Sequence, residues 1–414
     1  VGLVVAVIAG DSDEPQATTS PTATPATPAP ITTPPTTRGG PATTGPAVTT
    51  GPAVTTAPPA TTGGARTALD RAVDEGVAFV ESARGLKFKT RPVVVALDDA
   101  AFIARLVQLV EEDARENASD YEVSTGLMQA LDILPAGVTA LDATRTLVRG
   151  GVLGYYDPES KELRVRAGSI TPLARTTIVH ELVHALDDQW FDLDRPEYDE
   201  LDDERSFALS ALAEGSARAV ENAYRASMSR ADRAEADAEE LRLGAGVDLS
   251  SLTQAYIALQ LAPYDYGEAL VDALVAQGGQ EAVNRAFGEV PTSSEQVMDP
   301  ARYARREVAV AVAAPTADGP VVDDGVVGQI VIESFLAPVV GRSVATRAAA
   351  GWGGDKYVAW RSGGRMCLRI RFEMESTRDG GELRDALNTF ARRRGAGTAV
   401  GGSGSGAELT SCSR

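Results

Sequence analysis

Histidine is almost absent from this 414-residue chain, which contains two. Cysteine is as scarce: Cys367 and Cys412 are too few for a disulfide scaffold and wrongly spaced for a zinc ribbon. Only Lys87, Lys89, Lys161 and Lys356 are lysines among 39 basic residues, and 58 acidic residues bring the net charge to −19. That excess repels nucleic acid and anionic membrane surfaces, so neither is expected as a partner of the folded part. No long apolar run is present either. The run from Val1 to Gly10 falls short of the ~20 residues that span a bilayer.

Both histidines fall in one pentapeptide, His180-Glu181-Leu182-Val183-His184. Imidazoles at i and i+4 leave the same face of an α-helix, about 6 Å apart along its axis, and can reach one ion. An H-E-x-x-H helix binds zinc through the histidines and uses the glutamate as general base toward water. His180 and His184 are therefore expected as ligands of Zn²⁺, and Glu181 as the base.

The segments before this motif give its setting. Residues 1–10 read as the remnant of an N-terminal membrane or signal segment, the alternative being a short buried strand. Residues 11–64 are Thr, Pro, Ala and Gly, with Gly45-Pro46-Ala47-Val48-Thr49-Thr50 repeated immediately. Such composition cannot offset its ordering entropy and reads as a disordered, extended stalk. Leader plus stalk place the rest outside the cytoplasmic membrane, anchored or secreted, touching the membrane through the N-terminal segment alone.

The folded part is expected from residue 65, with helices over 66–83, from Asp98, and over 120–134. Val152–Tyr156 and Glu162–Arg166 read as a β-hairpin with Leu163 and Val165 on one face and Arg164 and Arg166 on the other. Its edge, Leu163 to Arg166, would align an extended substrate by strand addition. Thr171 caps the metal helix, with Pro172 at its first position. Ile178, Val179, Leu182, Val183 and Leu186 form a buried stripe that turns His180, Glu181 and His184 into a cleft.

A catalytic zinc needs a further protein ligand, and no histidine remains. Glu214 is the candidate, because it stands in an apolar helix of small residues, Phe207–Ala217, that can approach another backbone closely. A charge there is costly unless paired or metal-bound. The alternative for Glu214 is an ion pair with Arg218 at i+4. Asp187 or Asp188, a turn beyond His184, would accept the free ring N–H of a ligating histidine, and spacing favours Asp188.

Residues 204–242 read as one long helix, and Ala255–Ala276 as helix interrupted at Pro263. Arg365–Met374 alternates, with Cys367 on its polar face. A Cys367–Cys412 disulfide would clip the C-terminal tail across that face.

These residues resemble a gluzincin-type zincin, and more closely a group of bacterial secreted or membrane-anchored zinc metallopeptidase-like proteins. The likeness rests on Gly154–Pro158, His180–Gln189, Ala211–Gly215, Pro263–Gly267, Ser293–Gln296 and Gly351–Asp355. The likeness covers roughly residues 150 to 360 and implies a zincin-like catalytic core. The chain is expected to be α+β, mainly helical, with a small β-sheet before the metal helix: a catalytic domain over 65–300, an α/β subdomain over 301–396 packed on it, and a Gly/Ser-rich tail over 397–414. The likeness also implies His180, His184 and Glu214 as ligands, Glu181 as base, and a peptide or protein substrate. The group often has a histidine before the proline that follows S-x-E-Q, where this chain has Asp299-Pro300. Tyr264 or Tyr266 would then supply the oxyanion donor. The competing expectation is a catalytically weak or inactive zinc-binding envelope scaffold or binding protein.

Overall fold

A capping box opens the first helix: Thr67 accepts from the Asp70 N–H while Asp70 accepts from Thr67, and α1 (Ala68–Arg84) ends at left-handed Gly85. The computed structural model describes residues 4–7, 67–198 and 201–414, so the stalk expected over 11–64 lies outside them. Within the described part of the apolar opening, Val4–Val7 forms β1. After α1 come β2 (Val94–Leu97), α2 (Asp99–Glu116, capped by Asp98), α3 (Ala118–Ala130) and α4 (Ala140–Gly150). The hairpin of β3 (Val152–Asp157) and β4 (Glu162–Arg166) follows, then α5 (Pro172–Phe191) with Thr171 as its cap.

The first sheet has the order β1-β3-β4-β2. β4 is therefore interior, antiparallel to β3 and parallel to β2. The expected substrate edge at Leu163–Arg166 does not exist, because β2 already takes the hydrogen bonds of that side. β3's other side carries β1, with Ala6 opposite Gly154. Nor is α5 a helix with one buried stripe beside a cleft. Apart from Arg175 it is buried from Pro172 to Asp188, wrapped by α1, α6, α7 and the sheet. Ile178, Val179, Leu182, Val183 and Leu186 are all fully buried, each worth about 1.5–3 kcal/mol of apolar burial.

The expected long helix of 204–242 is two helices, α6 (Asp203–Ser227) and α7 (Arg230–Ala245). Met228 turns extended and Ser229 caps the new helix through the Asp232 N–H, a local bond that competes with continuing the first. Conversely, α8 (Gln254–Ala286) runs through Pro263 and breaks instead at Gly278-Gly279, where φ at Gly279 is +64°. The proline forfeits one helical hydrogen bond; the pair of glycines permits a backbone that other residues resist. Two short helices, α9 (Ser294–Met298) and α10 (Pro300–Ala304), follow.

The C-terminal part comprises β5 (Val321–Gly325), α11 (Gly328–Val340), α12 (Arg342–Ala349), β6 (Trp352–Ser362), β7 (Arg365–Met374), α13 (Thr377–Arg394), β8 (Ala399–Gly401) and β9 (Gly406–Cys412). All its pairings are antiparallel, in the order β5-β6-β7-β9-β8. Residues 397–414 are thus not a tail: β9 sits inside the sheet with Ala407 and Leu409 in the core. A boundary at residue 300 is absent too, since one apolar core joins Ile133, Leu134 and Tyr256 to Phe335, Ile370 and Phe390. Cys367 and Cys412 are register partners and form a disulfide. The face expected to be solvent-exposed at Cys367 is covered, because Val358, Trp360 and Ala317 pack over the sulfur. Among the described residues no helix is long and apolar enough to cross a membrane. The architecture is α+β and mainly helical.

Candidate metal centre

α5 and α6 lie side by side in the core and bring three donors together. His180 Nε2 is 3.1 Å from His184 Nε2 and 3.2 Å from Glu214 Oε2, and the third edge of the triangle, His184 Nε2 to Glu214 Oε2, is 3.5 Å. Donors bound at 2.0–2.1 Å with tetrahedral angles stand about 3.3 Å apart. The triangle therefore fits a small tetrahedral ion as it stands, and His180, His184 and Glu214 can hold a metal ion. All three are at most 5% exposed. Glu214 does not take the alternative partner, as Arg218 turns to Glu221 at 3.5 Å.

The electrostatics of the three donors follow from this crowding. Burial disfavours the His180 imidazolium, but hydrogen bonds to Glu214 and Glu221 outweigh it and raise its pKa to about 10. At His184 burial wins, and the pKa is lowered. Burial likewise opposes the Glu214 carboxylate, yet the two histidines bring its pKa down to about 2.

The group that orients a histidine is Glu221, which sequence reasoning missed. Its Oε2 lies 3.0 Å from His180 Nδ1, so that nitrogen donates and Nε2 points into the triangle. Arg218 and Arg225 flank Glu221, each at 3.5 Å. Asp188, the expected orienting residue, faces away: Oδ2 accepts from the Tyr156 hydroxyl at 2.6 Å and from Lys161, and Oδ1 from the Leu193 N–H. It ties the hairpin to the end of the metal helix. Asp187 is held in a buried ion pair with Arg84 at 2.7 Å and accepts from Ser216 Oγ. His184 Nδ1 has no hydrogen-bond partner among the described residues.

Glu181 is fully buried beside the triangle, against Gly154 of β3. A Cβ at Gly154 would stand 2.8 Å from Glu181 Oε1 and 2.6 Å from Thr177 Cγ2. Glycine is what lets strand and helix close there. Tyr264 joins the site from α8: its ring stacks 6.4 Å from that of His180 and its hydroxyl hydrogen-bonds Glu214. Tyr266, two residues on, projects elsewhere and meets Arg342 and Glu333. A two-residue step is about 200° around a helix, so α8 can offer only one of the two tyrosines to the metal.

Two stretches shared with the resembled group serve the fold and contribute none of the metal-site donors. Glu204, at the start of α6, accepts from Ser294 N and Oγ, both at 2.8 Å. Asp355 accepts from the Val327 and Gly328 N–H groups at the start of α11 and from Trp352 Nε1. Ser293–Gln296 and Gly351–Asp355 thus lock the root of α6 to α11, ten residues before Glu214. Asp299 caps α10 and pairs with Arg302.

Residues 315–409 match a family described as a domain of unknown function (DUF8575). The stretch holds most of the second sheet and its helices, and none of the metal-site residues. No curated protein and no solved structure matches the chain.

Proposed function

We propose that this protein is a zinc-dependent peptidase with a gluzincin-like centre, acting outside the cytoplasmic membrane. The observation that carries the reading is the His180–His184–Glu214 triangle with Glu181 buried beside it. Two imidazoles and a carboxylate are the donor set of catalytic zinc in peptidases, which leaves a coordination position open. Zinc held there would polarise a scissile carbonyl and acidify water.

The chain's own residues supply the remainder. Glu181 accepts a proton from the attacking water as its oxygen joins the carbonyl carbon, then delivers that proton to the departing amine nitrogen as the C–N bond breaks. The Tyr264 hydroxyl, whose one proton goes to the Glu214 carboxylate, is the donor for the oxyanion once it turns from that carboxylate. Glu221 keeps His180 in one tautomer and one orientation.

The test is Glu181→Gln in the full chain, assayed for bound zinc and for cleavage of a mixed peptide library with and without chelator. Zinc should remain at one equivalent while cleavage disappears. Cleavage at the wild-type rate in that variant overturns the mechanism. A second reading, a metal-binding scaffold without activity, draws on the closure of the site. It requires zinc to be retained and the wild-type protein to leave every peptide intact.

A further inference from the structure

His180, Glu181 and His184 are no more than 1% exposed. The cavity beside His180, between Leu153, Thr177, Arg218, Glu240 and Tyr264, has a volume of about 10 Å³, room for about one water. Among the described residues, the walls of this cavity must move before a peptide can reach Glu181. α5, α6 and α8 are poor candidates, because their contact surfaces are buried and the last two touch backbone to backbone at Gly215 and Gly267.

α7 is different. Of its sixteen residues only Ala236 is buried. Its apolar contact is Ala236 and Leu243 against Leu153 and Leu173. Charge does most of the holding: Arg225 of α6 reaches Asp237 at 2.9 Å and Glu240 at 2.7 Å, and Arg175 of α5 reaches Asp232 at 3.5 Å. Glu240 also walls the cavity. The same Arg225 touches Glu221, the carboxylate on His180, at 3.5 Å.

We propose that α7 is a lid over the metal centre, latched by Arg225 and opening to admit substrate. It rests on the peptidase reading only for what enters. A helix held by partly exposed ion pairs and two small apolar contacts opens far more readily than its neighbours. Salt weakens such a latch, since it screens exposed charges. The ends suit a hinge: at one Met228 has already left the helix, and at the other stand Gly244 and Gly246.

Hydrogen–deuterium exchange on the full metal-free chain tests the movement. Amides of α7 should exchange about a hundredfold faster than those of α5 and α6, and faster still at high salt. The double variant Asp237→Asn, Glu240→Gln should show the high-salt rate at low salt, with α5 and α6 unchanged. Equal protection in α7 and α5 overturns the lid. With zinc loaded, chelator should strip the double variant about tenfold faster than the wild type. An unchanged stripping rate despite a loosened α7 also overturns it. Failure to bind zinc sinks the peptidase reading while the exchange result still decides the lid.

Discussion

Gly215 and Gly267 bring α6 and α8 together so closely that a Cβ on Gly215 would lie 2.1 Å from the Gly267 carbonyl oxygen. Glu214 and Tyr264 flank this crossing, and their contact depends on it. Gly215→Ala should therefore destabilise the protein by about 1–3 kcal/mol through overpacking and weaken zinc binding. In an exposed helix the same change stabilises by up to about 1 kcal/mol, so the sign is decisive. Denaturant unfolding measures it, and a gain in stability would refute the contact.

The two carboxylates considered for the role behind the histidines should separate cleanly. Glu221→Gln removes the charge facing His180 Nδ1 and should lower zinc affinity about 10- to 100-fold. Asp188→Ala should leave zinc affinity nearly unchanged and cost about 1–3 kcal/mol of stability, because the Tyr156 hydroxyl and the Leu193 N–H lose their acceptor. Competition titration with a chelating dye reads the first effect and denaturant unfolding the second. A larger zinc defect in the Asp188 variant would reverse the assignment.

The contrast shows what the sequence carried. His180 and His184 needed only helical spacing, and Glu214 stood out as a charge in a helix of small apolar residues. Glu221 gave no such signal. With Arg218 three residues before it and Arg225 four after, it reads as part of a solvated ion-pair ladder, and only the packing of α6 on α5 buries it. β9 was hidden by the glycine and serine around it, although Ala407, Leu409 and Ser411 alternate inward. β4 looked like an edge because its parallel partner, β2, lies more than sixty residues earlier, beyond the reach of local pattern. The Met228 break was local, and a serine three residues before an aspartate was its readable mark.

Burial pushes the Glu204 carboxyl up to about 8, against hydrogen bonds from Ser294 that favour its charged form. An acid whose folded pKa lies above its unfolded value stabilises the fold while protonated. That contribution is whole below pH ~4.5 and is lost as pH rises through about 8. Metal-free protein should accordingly lose stability across that window, and Glu204→Gln, which keeps an acceptor for Ser294, should lose less. Unfolding free energies at a series of pH values give the comparison. Parallel slopes for the two proteins would clear Glu204 of the effect.

Tyr264 and Tyr266 are matched controls on one helix. If the Tyr264 hydroxyl donates to the oxyanion in peptide cleavage, Tyr264→Phe should lower kcat about 10²–10³-fold with little change in KM, the cost of losing one such donor. Tyr266→Phe should leave kcat alone, because that hydroxyl meets Arg342. Zinc content must be equal in both variants, since Tyr264 also bonds Glu214. A Tyr264→Phe enzyme with full kcat at full zinc occupancy would remove Tyr264 from the chemistry and leave it as a support for Glu214.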